Sequence, residues 1–249
     1  MRKLIAIILV LVLPIVGLAQ QTGEELIAAS IKYHDPNGQW PETKAIFNFS
    51  DTRPGKDARP ATLYLDNTNG TLCIMREQDG ARVTRHTVND DCTYDIDGNF
   101  QPSAEEIEQF SLNEERSLML RNYYLYLWGL PMKLTDPGTR IDPNIYKKEF
   151  NGQQTNAARI TYDVEVGSDI WYFYFEPETN KMIGYQFFHD EEKGDGEYIL
   201  LTETVELNGM KIPKNRAWYT NPDSTLLGTD HLISTNALIH SHKGNNGED

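Results

Sequence analysis

Leu118-Met119-Leu120-Arg121-Asn122-Tyr123-Tyr124-Leu125-Tyr126-Leu127-Trp128 is the stretch whose reading decides the fold. It is apolar nearly all the way round a helical wheel, whereas a surface helix carries a polar stripe. A helix of this kind is expected to be surrounded by other structure on most sides. Gly129 and Pro131 supply its stop. Upstream, Ser103-Ala104-Glu105-Glu106 and Ser111-Leu112-Asn113-Glu114 each have the form of a capping box, so 103–128 is expected as one kinked helix or two consecutive ones.

On both sides of this helix the pattern changes to alternation. Before it, strand candidates fall at 45–49, 61–66, 71–77, 81–88 and 92–96, with Asn69-Gly70 and Asp79-Gly80 as tight-turn dipeptides. After it come 146–151, 155–166, 170–175, 182–189, 198–207, 210–219 and 226–239, with turns at Glu178-Thr179-Asn180 and Asn208-Gly209. A further short amphipathic helix is expected over 22–34, opened by the capping box Thr22-Gly23-Glu24-Glu25. The expected fold class is mainly β (α+β). About ten strands would form a strongly curved antiparallel sheet, or half-barrel, wrapped around the central apolar helix, since a flat sheet of that size is unusual.

The ends of the chain have their own signals. Arg2 and Lys3 precede an apolar run over 4–16 that ends in Gly17-Leu18-Ala19, the layout of a secretory signal peptide cleaved before Gln20. The run is shorter than the ~20 residues a spanning helix needs, and Pro14 interrupts it, so no stable membrane anchor is expected. This divides the chain into a signal peptide over 1–19, one curved-sheet domain over 20–240 and a polar disordered tail over 241–249. The formal net charge of −14 repels phosphate backbones, which excludes nucleic acid as an expected partner. Cys73 and Cys92 are the two cysteines; export permits a disulfide between them, which would stabilise the fold by roughly 3 kcal/mol.

The long motif Arg121-Asn122-Tyr123-Tyr124-Leu125-Tyr126-Leu127-Trp128-Gly129-Leu130-Pro131-Met132-Lys133-Leu134-Thr135-Asp136-Pro137-Gly138-Thr139 carries a family resemblance. It is joined by Phe175-Glu176-Pro177-Glu178-Thr179-Asn180-Lys181-Met182 and Leu207-Asn208-Gly209-Met210-Lys211-Ile212-Pro213. With the N-terminal helix and the inserted apolar helix, the chain resembles the lipoprotein-carrier superfamily of the Gram-negative periplasm. More narrowly, it looks like a functionally undefined family of Bacteroidetes envelope proteins. The resemblance implies a curved sheet and helices enclosing an apolar cavity, which the carriers use for acyl chains.

The candidate ligand-binding residues lie on two elements. Tyr123, Tyr126 and Leu127 share one side of the apolar helix by spacing, with Trp128 beside them. In Ile170-Trp171-Tyr172-Phe173-Tyr174-Phe175, alternation puts Trp171, Phe173 and Phe175 on one face, and Tyr172 and Tyr174 on the other, where their polar tips could line a partly wet cavity. Asp95-Ile96-Asp97-Gly98 lacks the first and last acids of a calcium loop and reads as a turn. His240-Ser241-His242 lacks further zinc ligands. No metal and no cofactor is expected.

His34-Asp35 and His189-Asp190-Glu191-Glu192 place acids beside imidazoles, as solvated turns do, and no motif with a catalytic mechanism is present. The function expected is that of an exported, soluble periplasmic protein that reversibly binds an apolar or lipid-like ligand. The alternatives are a non-enzymatic interaction module docking other envelope proteins, and a hydrolase or isomerase with a site assembled from distant residues.

Overall fold

The computed structural model describes residues 21–238, so the signal segment, the tail and the His240/His242 pair lie outside the described residues. Helix α1 (Gly23–His34) is followed by strands β1 (Lys44–Thr52), β2 (Arg59–Asp66), β3 (Thr71–Gln78), β4 (Ala81–Val88) and β5 (Asp91–Ile96). Helices α2 (Ala104–Gln109) and α3 (Glu114–Gly129) come next. The remaining strands are β6 (Thr139–Phe150), β7 (Gln153–Tyr162), β8 (Ile170–Phe175), β9 (Met182–Phe188), β10 (Glu197–Leu207), β11 (Met210–Thr220) and β12 (Leu226–Ala237).

These strands make one 12-stranded sheet in the order β5-β4-β3-β2-β1-β12-β11-β10-β9-β8-β7-β6. The chain works outward from the centre to β5, crosses by way of α2 and α3 to the opposite edge at β6, and returns to the centre. There β12 pairs antiparallel with β1, Ala45 opposite Ala237 and Phe47 opposite Thr235. β5 and β6 are not paired with each other, so the sheet curves without closing. The strand number is twelve rather than about ten, because each alternating segment is delimited by its own reversal and none merges with a neighbour. At Asp79-Gly80 and Asn208-Gly209 both turn residues have positive φ (51° and 82°, 51° and 80°), the geometry that matches the twist of a hairpin.

Two helices, not one, occupy the inner face of the sheet. Leu120, Tyr124, Leu127 and Trp128 of α3 pack among Phe47, Phe49, Leu63 and Leu65. Leu26 and Ile27 of α1 pack with Leu130, Ala158, Phe173 and Phe175 over the other half. Because α1 takes that half, α3 is not enclosed on most sides as its composition suggested: Met119 and Tyr123 are each 44% exposed. The segment before Trp128 is two helices. Ser103 forms the expected capping box with Glu106, but the second cap is Asn113, whose Oδ1 accepts from Arg116 N at 2.8 Å, while Ser111 sits at φ 51° in the break. Thr22 caps α1 as expected.

α1 is seated closely. A Cβ on Gly23 would lie 2.2 Å from the Asp142 carbonyl oxygen of β6, so only glycine lets the helix start there. Its other end is held by His34, which is fully buried rather than on a solvated turn. The ring's Nδ1 bonds the Lys211 carbonyl (2.7 Å) and Nε2 accepts from the Met182 amide (3.1 Å), which requires the neutral ring with its proton on Nδ1. Asp35 is buried too and accepts from the amides of Gln39 (2.7 Å) and Trp40 (2.8 Å).

The expected disulfide is not formed: Cys73 and Cys92 are free. Cys73 lies on β3 and Cys92 on β5, with β4 between them. Two strand spacings are about 9.6 Å, beyond the ~7 Å that a disulfide tolerates between Cα atoms.

Burial holds the His34 imidazole down to about 4, against an ordinary 6.5. The unfolded chain therefore takes up this proton first as pH falls, and stability is lost between pH 6.5 and 4, by up to about 3 kcal/mol. Urea unfolding from pH 7.5 to 4.5 should show the stability difference between wild type and His34→Gln shrinking steadily; a constant difference would mean that the ring does not titrate as described.

Candidate functional site

A cavity of about 1050 Å³ opens between α3 and the inner face of β8–β12, with the end of β1 at its edge. Helix residues Leu125, Tyr126 and Leu127 form one wall, and Trp171, Phe187 and Trp218 form the facing one. A concave space walled by apolar and aromatic side chains is the usual form of a small-molecule site; here charged residues line it as well, and its volume is just above the common range of about 300–1,000 Å³.

The sequence-derived candidates divide between the two faces of the sheet. Tyr123, Tyr126 and Leu127 line the cavity. Tyr126 Oη is hydrogen-bonded to Tyr162 Oη, and its ring meets Trp171 edge-on at 6.3 Å. Trp128 does not line it: fully buried, it stacks on Phe47 at 4.9 Å between ring centroids and holds the helix end from behind. Tyr172 and Tyr174 stand on the opposite, outer face. There Tyr172 donates to Glu191 (2.7 Å), Tyr174 donates to Gln186 (2.5 Å), and Phe150 stacks on Tyr174 at 3.9 Å. Trp171, on the alternate face of the same strand, takes the place expected for the two tyrosines.

A polar row that no local motif announces crosses the buried side of the cavity. Arg59, Asp51, Asp230 and Arg216 are successive cross-strand neighbours on β2, β1, β12 and β11, and residues directly opposite in a ladder share one face. Asp51 is paired with Arg59 (2.6 Å) and Arg76 (3.3 Å). Arg216, 1% exposed, donates to the carbonyls of Leu127 (3.0 Å) and Pro213 (3.4 Å), and its guanidinium lies 4.1 Å from the centre of the Trp128 ring. Asp230 lines the cavity, is 6% exposed, and forms no hydrogen bond or ion pair among the described residues. Burial pushes its carboxyl up to about 6, against the pull of Arg216. Beside it the buried Tyr185 hydroxyl makes no well-formed hydrogen bond, although the Arg216 guanidinium is close by, and burial drives it well above the ordinary phenol range, so it stays neutral.

The remaining candidates fall elsewhere. His189 is on a solvated turn, as expected, with Nδ1 held by Asp169 at 2.7 Å near the cavity mouth. Asp95-Ile96-Asp97-Gly98 is a turn, closed by Gly98 N donating to Asp95 Oδ1 at 3.0 Å. No group of three potential metal ligands occurs among the described residues. One arrangement escaped sequence reasoning altogether. Cys73, His86 and Asp95 stand on three successive strands, with His86 Nδ1 at 3.2 Å from Cys73 Sγ and Nε2 at 2.8 Å from Asp95. Burial, and then Asp95, push the Cys73 thiol up, so it rests protonated in this line.

Comparison with known proteins follows the same fold. A model of a family of unknown function (DUF6503) matches residues 2–235, and the chain belongs to that family. No curated protein matches it. Among solved structures, the fold is similar to a LolA superfamily protein from Nitrosomonas europaea, with a TM-score of 0.53 and 9% identity over 88% of this chain and 95% of that one. It is also similar to a putative outer membrane lipoprotein-sorting protein domain from Vibrio parahaemolyticus (TM-score 0.50, 9% identity, 89% and 95% covered). A DUF1329 family protein from Desulfovibrio piger is a third (0.52, 8%, 89% and 95%). At these identities the likeness is one of fold.

The buried Asp230 carboxyl generates a stability prediction. Its unfolded counterpart ionises near 3.8, so between 3.8 and about 6 the folded form keeps a proton that the unfolded form has lost. Stability falls across that window as pH rises, by an amount of order 3 kcal/mol that persists above it. Asp230→Asn should accordingly be more stable than wild type at pH 7.5, by about 1–3 kcal/mol in urea unfolding, and the gain should vanish below pH 4. Equal stability at both pH values would show that the carboxylate has a partner when ionised.

Proposed function

We propose that this member of a family without an assigned activity is an exported periplasmic protein that takes up a lipid-like ligand reversibly in the cavity between α3 and the sheet. The observation that carries the reading is the cavity itself, walled by Leu125, Leu127, Trp171, Phe187 and Trp218 and open to solvent on one side. Burial of hydrocarbon against such walls contributes roughly 25 cal/mol per Å² removed from water, so an acyl chain can supply most of the binding free energy. Tyr123, Tyr126 and Leu127 contact the ligand from the helix side.

Export rests on the N-terminal segment with Arg2, Lys3 and the small-residue stop at Ala19. The fold shared with a LolA superfamily protein and with a putative lipoprotein-sorting domain supports the reading of a carrier. Among the described residues no helix is long and apolar enough to cross a membrane.

Native mass spectrometry of protein purified from an envelope extract should detect a lipid adduct, and the delipidated protein should bind a fluorescent fatty-acyl probe. Leu227→Trp, which places an indole where Leu227 now borders the cavity, should weaken probe binding by about ten-fold or more. An unaltered probe affinity in a folded Leu227→Trp variant, or repeated absence of any adduct together with no probe uptake, would remove the proposal.

A further inference from the structure

The cavity is apolar along its walls but not in its charge. Among its lining residues are the carboxylates Asp136, Glu165, Asp169, Glu197 and Asp230, besides the paired Asp51, against only Arg53 and Lys133 as bases. Lys133 is engaged with Asp136. The guanidiniums nearest the buried wall are also engaged: Arg59 and Arg76 on Asp51, and Arg216 on two backbone carbonyls and the Trp128 face. Arg59, Arg76 and Arg216 are not among the residues that border the cavity.

What borders it on the buried side without a well-formed hydrogen bond is the carboxyl of Asp230, a residue 6% exposed, and the hydroxyl of Tyr185, a residue 3% exposed that has the Arg216 guanidinium close by. Both lie within electrostatic reach of each other and of Tyr123. Leaving a buried carboxylate and a buried hydroxyl unpaired costs free energy that an apolar pair of residues would not. A carboxylate only accepts hydrogen bonds, so the complementary group is a donor; an anionic group there would meet Asp230 with the wrong sign, and the unengaged base of the lining, Arg53, is exposed at the rim rather than on the buried wall.

We propose that the ligand is an amphiphile whose polar end is a hydrogen-bond donor without negative charge, an amine or a hydroxyl head, taken by Asp230 with the Tyr185 hydroxyl beside it. This rests on the lipid-uptake reading and names the class of lipid. The acyl part lies against Trp171, Phe187 and Trp218, and the head sits on the buried wall at Asp230, with the Tyr185 hydroxyl beside it. Free fatty carboxylates and phosphate-headed lipids are the poorly fitting classes.

Displacement of a bound fluorescent acyl probe from the whole chain, using probes of one hydrocarbon tail, tests this. Hexadecylamine and monopalmitoylglycerol are expected to compete at least ten-fold more effectively than palmitate at pH 7.5. Asp230→Asn should abolish the advantage of the amine over palmitate, and Tyr185→Phe should weaken the glycerol ester several-fold. Competition by palmitate equal to or stronger than the other two overturns the head-group assignment while leaving lipid uptake intact. An undiminished amine preference in Asp230→Asn overturns the role of Asp230 and moves the selection to the rim. Failure of all three compounds to displace the probe defeats this inference, and failure of the probe itself to bind defeats the uptake reading.

Discussion

The C-terminal end of α3 is fixed to the sheet by one guanidinium. Arg216 donates to the carbonyl of Leu127, one of the carbonyls that the last turn of a helix leaves without an intrahelical partner, and lies over the ring of Trp128, 4.1 Å from its centre. Trp128 in turn stacks on Phe47 and meets Phe49 at 5.6 Å, so helix end, β11 and β1 form one packed unit. Held at that point, the helix approaches the β1–β3 half and stands off from β8–β10. The gap on the second side is the cavity. A helix free to settle centrally on the sheet would have filled it, since protein interiors close-pack wherever nothing prevents it.

An ion buried this deeply is expensive, and the row Arg59–Asp51–Asp230–Arg216 explains how the cost is shared. Asp51 is ion-paired with two guanidiniums, hydrogen-bonded through Oδ1 only, and Arg216 donates to two carbonyls and faces the Trp128 ring while its Nε is left without a partner. Asp230 stands between them with neither, favoured through space by Arg216 and, more weakly, by Arg76 and Arg53, and opposed by Asp51. Replacing buried ionic groups by well-packed apolar ones is often neutral or stabilising. A carboxyl retained at a cavity wall under that penalty fits a group kept for what it contacts.

Much of the fold was legible in the chain because it is written in local rules. Capping boxes at Thr22 and Ser103, the positive-φ turn residues at Asp79-Gly80 and Asn208-Gly209, and period-two alternation are each decided within a few residues. Long-range facts were not legible. Alternation separates Trp171 from Tyr172 but does not say which face looks inward, and both faces of β8 are buried, so burial could not break the tie. The tyrosines went outward because the outer face supplies Glu191 and Gln186 for their hydroxyls. The apolar circumference of α3 suggested enclosure on most sides, yet Met119 stays half-exposed, as does Tyr123, which borders the cavity. The disulfide was favoured by compartment and even count, and register alone puts β4 between the two sulfurs.

The candidate site was the least legible part for the same physical cause, its dependence on long-range pairing. Asp230 sits in Gly228-Thr229-Asp230-His231, a segment with nothing to mark an acid as buried, and Arg216 sits in a strand between Asn215 and Ala217. Each is ordinary in its own neighbourhood, where a polar residue on a strand usually faces water. Only the pairing of β11 with β12 and of β12 with β1 brings them onto the inner face with Asp51. Functional polar groups in a curved sheet are of this kind, because a cavity borders several strands at once and each contributes one residue. Their unfavourable burial is tolerated where the surrounding pairs fix them in place, and here the paired charges on either side of Asp230 do so while leaving its oxygens open to the cavity.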